Sequence, residues 1–177
     1  DSGVTRCVVS GTCHEYGNSA LRYSAIPPDA PLDPLNAYGA SKAAAFHMIR
    51  GFAIKECLEL FYGRIFTAYG EGQYSENFWP SLKRAALSGN DFPMTSGKQI
   101  SDFIPVALAA DYLLTACHRP DITPGIPLVA NIGTGQPKSL FAFAETEWER
   151  LEATGRLIPC SLQDRPDQID HMVADTQ

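Results

Sequence analysis

Arg6-Cys-Val-Val-Ser10-Gly-Thr12, followed after a polar stretch by Asn36-Ala-Tyr38-Gly-Ala-Ser-Lys42-Ala-Ala-Ala, decides the fold of this chain. The first run is continuously apolar and stops at small hydroxyl residues, the pattern of a strand buried on both faces of a parallel sheet. In open parallel α/β sheets ligands sit beyond the carboxyl ends of the strands, so Thr12 is expected at the ligand edge, with Ser10 close by. Asn18 to Asn36 is rich in proline and polar residues and reads as a loop. From Ala37 a helical pattern runs through Ala43, Ala44, Phe46, His47, Ile49 and Ile54 to about Cys57. Leu58 to Phe66, punctuated by Gly63, is a second strand candidate. Strand, loop, helix and strand make a βαβ unit.

Within that unit Tyr38 and Lys42 are four residues apart, so a helix places them on one face, one turn apart. A free tyrosine keeps its proton until about pH 10 and is a poor acid–base group at neutrality. A nearby ammonium favours the phenolate and makes the phenol useful for proton transfer. Taken out of its setting, the pair reads equally as a packed tyrosine beside a solvated lysine.

The 177 residues suit one domain with a sizeable core. A hydrophobic content of 45% and a charged content of 19% are those of an ordinary globular protein. The net charge of −6, evenly spread, argues against a nucleic-acid partner. No stretch has membrane-spanning length and no signal peptide is visible, so the chain reads as cytoplasmic. Cys7, Cys13, Cys57, Cys117 and Cys160 form no Cys-x-x-Cys pair, so neither a disulfide framework nor a zinc site is indicated. Cys13, beside Thr12, is the one to watch. The four histidines are scattered, and no metal site is expected.

In the second half, Pro80 suits the first turn of a helix through Leu82, Ala85, Ala86 and Leu87 that ends near Gly89-Asn90. Phe92 to Ile104 predicts a hairpin turning at Ser96-Gly97. Val106 to Cys117 reads as an apolar core helix, and Leu128 to Ile132 as a strand. Ser139 is a cap for a helix from Leu140 to about Ala153. Gly133-Thr-Gly135 reads as a turn joining strand to helix.

These pieces, in this order, resemble the extended short-chain dehydrogenase/reductases, specifically the NAD-dependent epimerase/dehydratase family of nucleotide-sugar epimerases and 4-ketoreductases. The resemblance rests on Ser10-Gly-Thr12-Cys-His-Glu-Tyr16-Gly17, Tyr38-Gly-Ala-Ser41-Lys42 and Arg64-Ile-Phe-Thr-Ala-Tyr69-Gly70. It extends through Phe92-Pro-Met-Thr-Ser-Gly97-Lys-Gln-Ile-Ser-Asp102-Phe-Ile104, Asn131-Ile-Gly-Thr-Gly135 and Asp164-Arg165-Pro-Asp167. It implies an α/β fold: the C-terminal part of a Rossmann-type parallel sheet domain over residues 1–75, and over 76–177 a small mixed α/β substrate lobe interleaved with the last sheet elements.

The resemblance also implies roles. Tyr38 exchanges a proton with a sugar hydroxyl or its ketone, Lys42 binds the nicotinamide ribose, and Thr12 hydrogen-bonds the reacting oxygen. Phe66 and Ala68 face the nicotinamide carboxamide. Thr67 and Arg165 contact the substrate's phosphates, although a surface salt bridge is an equal reading of Arg165. Tyr16 reads either as a loop-packing ring or as a substrate contact. The cofactor is NAD or NADP, the substrate a nucleotide sugar, and the assembly a candidate homodimer.

Departures from the family pattern matter as much. Thr67 stands where many members have Asn, and Ser101 where many have a phosphate-gripping Arg. Cys13 and His14 occupy the positions of the Asp-Glu pair of sugar 4,6-dehydratases, which disfavours 4,6-dehydration and favours 4-epimerisation or 4-keto reduction. No Gly-x-Gly-x-x-Gly precedes the first strand, which resembles the fifth strand of the family sheet, so the chain is expected to be a C-terminal piece of a longer protein, inactive by itself. The alternative is a non-catalytic Rossmann-like binding or regulatory protein. An unrelated hydrolase lacks support, since no Gly-x-Ser-x-Gly elbow is present.

Overall fold

A computed structural model describes residues 3–164 and 169–176. The valine pair in β1 (Arg6–Thr12) favours extended backbone, and the alanine-rich sequence of α1 (Ala37–Lys55) favours helix. Between them lie two 3₁₀ turns, Cys13–Glu15 and Asn18–Arg22, in a stretch whose far part sequence reading leaves as loop. The βαβ unit closes with β2 (Glu59–Ile65), parallel to β1 in a register that runs from Arg6 opposite Glu59 to Thr12 opposite Ile65.

Two glycines make this pairing close. A Cβ on Gly11 would lie 2.6 Å from Glu15 Oε1 and 2.7 Å from Tyr62 Cζ, and one on Gly63 would lie 3.1 Å from Ile132 Cγ1. The sheet therefore carries bulky side chains across two positions that have none.

Next come β3 (Thr67–Tyr69), α2 (Phe78–Leu87), β4 (Phe92–Pro93), β5 (Ile100–Pro105), α3 (Val106–Ala116) and β6 (Leu128–Ile132). The chain continues through β7 (Pro137–Ser139), α4 (Leu140–Arg150), β8 (Leu157–Ile158) and β9 (His171–Met172). β1, β2 and β6 form a parallel sheet in that order; among the described residues β1 pairs with β2 alone. β5 pairs in parallel with β3 and β9 and antiparallel with β7. β4 and β8 form a short parallel pair.

Two expectations are corrected here. Phe92 to Ile104 is no hairpin: β4 joins β8 and β5 joins β3, β7 and β9. Gly97 takes φ +66°, but Ser96 N–H is held by Asp164 and Gly97 O accepts from Phe141 N–H, so long-range partners separate the two strands. Nor is α3 wholly core. Ala109 and Ala116 are buried, whereas Val106, Leu108, Tyr112 and Leu114 are exposed. α4 also ends at Arg150, three residues before its expected end, with Ser139 capping it through Ala142 N–H.

Three packed clusters result. One joins Tyr16, Ile26, Phe66 and Met172, one joins Phe61, Ile104, Ala109 and Ile132 across the sheet, and one joins Leu82, Met94, Ala144 and Trp148 between α2 and α4. α2 and α4 are further tied by Trp79 Nε1–H donating to buried Glu147 Oε2 at 2.9 Å.

Candidate active site

Asn36 starts α1 by accepting from Gly39 N–H at 2.9 Å, which fixes the first helical turn at the carboxyl edge of β1. Tyr38 lies in that turn with 55% of its surface exposed. One turn later Lys42 Nζ donates to Ser10 O at 3.3 Å. A further turn on, buried Phe46 packs on Tyr62 of β2, with ring centroids 4.7 Å apart, and so docks the helix on the sheet.

Thr12 ends β1 and caps the 3₁₀ turn that follows. Its Oγ1 accepts from His14 N–H at 3.3 Å, while its own N–H donates to Glu15 Oε1 at 2.9 Å. Thr12 is 7% exposed, and its side chain also hydrogen-bonds Cys13. The His14 ring meets Tyr38 edge-on, centroids 5.9 Å apart, and burial lowers its pKa. At neutral pH it is therefore an uncharged imidazole.

A cavity of about 620 Å³ opens beside these residues. Cys13, His14 and Asn36 contribute its wall next to Thr12 and Tyr38; Thr67, Ser101 and Phe103 contribute from β3 and β5; Phe78, Phe92 and Leu140 contribute from the second half. Among the described residues no lysine or arginine lines it. The polar groups of the described walls are hydroxyls, amides and the Glu76 carboxylate, with no guanidinium fork.

The expected site residues other than Arg165 fall among the described residues. Thr12, Tyr38 and Lys42 gather at the end of β1 and are joined to the cavity through Cys13, His14 and Asn36; Thr67 lies on the cavity wall itself. Phe66 is buried in the core and its N–H donates to Ile132 O; Ala68 O accepts from Gln73 Nε2 at 3.2 Å. Those two backbone groups are already engaged. Arg165 lies outside the described residues. Cys13 touches the cavity but is 3% exposed, and desolvation pushes its thiol up to about 12, so it is not a reactive group. Tyr16 is fully buried, which decides its role in favour of packing.

Sequence reading missed the network beneath Thr12. Arg64 of β2 donates Nε–H to Glu15 Oε2 at 2.7 Å, and Tyr62 OH donates to Glu15 Oε1 at 2.8 Å. Arg64 also donates to Tyr16 OH and Pro28 O; Tyr16 OH donates to Asn131 Oδ1 at 2.6 Å, and Asn131 Nδ2 donates to Ile26 O and Asp175 O. The available signal was an arginine inside a buried strand, since such a residue needs a partner. A second buried carboxylate, Asp102, accepts from Thr134 N–H and Oγ1–H, Gly135 N–H and Ala174 N–H. It makes the Gly133–Gly135 stretch a locked turn, and a Cβ on Gly133 would lie 2.5 Å from Asp102 Oδ2.

These features define a Rossmann-type α/β protein whose ligand edge lies at the carboxyl ends of parallel strands. The NAD dependent epimerase/dehydratase family matches residues 1–133. A UDP-glucose 4-epimerase of Streptomyces lividans is 32% identical over 174 residues, covering 89% of this chain and 50% of the relative. The structure of MoeE5 in complex with UDP-glucuronic acid and NAD is 28% identical with a TM-score of 0.84, covering 99% of this chain and 57% of that one. TunA, an NAD-dependent NDP-hexosamine 5,6-dehydratase involved in tunicamycin biosynthesis, is 29% identical with a TM-score of 0.79, covering 98% and 55%. The chain belongs to the NAD dependent epimerase/dehydratase family. It spans about half or less of the length of the curated relatives it matches.

Proposed function

We propose that this chain carries the proton-handling centre and sugar cleft of an NAD(P)-dependent enzyme that epimerises a nucleotide sugar at C4 or reduces its 4-ketone. The observation that carries the reading is the placement of Thr12 at the end of β1 and of Tyr38 and Lys42 one turn apart at the start of α1, with Lys42 bonded to Ser10 O and Tyr38 against His14, beside a cavity of a size for a sugar nucleotide. The family's UDP-glucose epimerase and the UDP-sugar bound to MoeE5 support the substrate class.

The residues present fit the nicotinamide end of a dinucleotide: an exposed phenol and an ammonium lie one turn apart where the strands end. Lys42 would hold the ribose there. When bound, the dinucleotide supplies or accepts hydride, and the protein orients the reactants and moves the proton. Tyr38 gives its phenolic proton to the substrate's O4 during reduction, or takes it during oxidation. Thr12 donates Oγ1–H to the same oxygen and stabilises charge developing on it. Thr67 and Ser101 on the wall, with Arg165, are the proposed contacts of the substrate's phosphates.

Water elimination is not part of the reading. Cys13 is a neutral buried thiol, and Glu15 lies under Thr12 in an ion pair with Arg64 rather than on the cavity wall. The reading carries a cytoplasmic setting, with a homodimer as the assembly to test first. The test is conversion of UDP- and dTDP-sugars by the protein at its full gene-encoded length with NAD or NADP, followed by NMR at the C4 proton. Inversion at C4 or reduction of a 4-keto sugar supports the proposal. Dinucleotide binding without turnover of either class would favour a binding protein.

A further inference from the structure

The Glu15–Arg64 pair is fully interior, with side-chain exposures of 0% and 2%. Removing both charges from water is costly, and the net stabilisation left by such a pair is small, whereas removing one partner leaves the other charge buried and uncompensated. The neighbours of this pair show what it holds. Glu15 fixes one end through Thr12 N–H, at 2.9 Å, and Tyr62 OH, at 2.8 Å. Arg64 fixes the other end: its guanidinium carbon lies 4.5 Å from the Phe46 ring centroid, 4.9 Å from that of Tyr16 and 5.7 Å from that of Tyr62. Phe46 belongs to α1 and follows Tyr38 and Lys42 at successive four-residue steps on one helix face.

We propose that Glu15 and Arg64 are positioning residues that hold Thr12 of β1 and the Tyr38/Lys42 face of α1 in one fixed geometry. The ion pair is a buried link from Thr12 through β2 to the Phe46 ring of α1, beneath the direct Lys42–Ser10 hydrogen bond. A neutral glutamine at position 15 could still meet Thr12 N–H. It would put an amide in place of the carboxylate and remove the charge that binds Arg64. The clamp depends on the charge, and so does the distance between Thr12 and Tyr38. Cys13, Tyr16 and Tyr62 are the other ionisable neighbours, and burial raises the pKa of all three, so each is neutral.

The inference rests on reading Thr12 and Tyr38 as the proton-handling pair, and its test separates the two. Glu15→Gln is made in the protein at its full gene-encoded length, and hydrogen exchange of the Thr12 amide is measured without substrate or cofactor, beside kcat and KM for a nucleotide sugar. The expected result is exchange at Thr12 faster by about ten-fold while the remaining β1 amides keep their protection. Alongside it kcat should fall by about 100-fold with KM nearly unchanged. Phe46→Leu, which keeps an apolar core but removes the ring beneath the guanidinium, should lower kcat in the same sense and decides the matter if Glu15→Gln does not fold. Unchanged Thr12 exchange and unchanged kcat would overturn the inference, as would a uniform loss of protection throughout β1. Faster Thr12 exchange in a protein with no sugar turnover would leave the clamp standing and remove the enzymatic reading instead.

Discussion

Lys42 Nζ donates to the carbonyl oxygen of Ser10 at 3.3 Å, so α1 is tied to the last residues of β1 by the side chain that the sequence marks as half of a catalytic pair. The tie sets the height of the helix against the strand. Tyr38, one turn before Lys42, therefore stands at the strand's end with its ring against His14 instead of packing on the sheet. The helix N-cap, Asn36, belongs to the cavity wall, so the element that carries the phenol also shapes the cleft.

Cysteine chemistry should be confined to the surface. Cys57, Cys117 and Cys160 are exposed, whereas burial pushes Cys13 up to about 12. Iodoacetamide at pH 8 is expected to alkylate those three quickly and Cys13 only after denaturation, as read by peptide mass spectrometry. Rapid labelling of Cys13 in the folded protein would show an open, ionisable thiol at the site.

Asp102→Asn should be strongly destabilising. The buried carboxylate accepts from Thr134, Gly135 and Ala174, and an amide would turn an NH₂ toward donors that then lack an acceptor. A loss of about 3 kcal/mol is expected in urea unfolding, from losing charge-assisted bonds and leaving N–H groups unsatisfied. A change below about 0.5 kcal/mol, the range of an ordinary surface substitution, would mean that the turn does not depend on this carboxylate.

Stability should also decline on mild acidification through His14. Its pKa is lowered in the folded state by burial, so the unfolded chain binds a proton more readily. The contribution is fully present above the ordinary histidine value of about 6.5 and is lost as pH falls from there through the folded-state value. Urea midpoints at pH 7.5 and 5.5 should therefore differ more for the parent protein than for His14→Gln. Equal differences would remove His14 as the source.

The parallel βαβ unit was legible because its signals are local: Val8 and Val9 beside hydroxyl residues, then an alanine-rich helix with Tyr38 and Lys42 at helical spacing. The β4/β5 stretch was not legible, because each strand pairs with residues distant in sequence, Leu157 and Ile158 for one and Thr67 to Tyr69 for the other. A local alternation of residues carries no information about such partners. Glu15 was visible only as a residue near the site, since its importance comes from Arg64, 49 positions away. Ser101 was legible as a missing arginine, and the cavity wall, free of lysine and arginine among the described residues, carries the same message in three dimensions.

The central claim is that Tyr38 transfers the proton, and the most direct measurement is kcat of Tyr38→Phe against the parent protein at its full gene-encoded length, with NAD and a nucleotide sugar. The ring is 55% exposed and none of the hydrogen bonds that hold α1 in place involves its hydroxyl, so the substitution leaves the fold intact. The account predicts a fall in kcat of about 10² to 10⁴, the usual worth of a positioned acid–base group, with dinucleotide affinity retained. A Tyr38→Phe protein that turns over at the parent rate would contradict it.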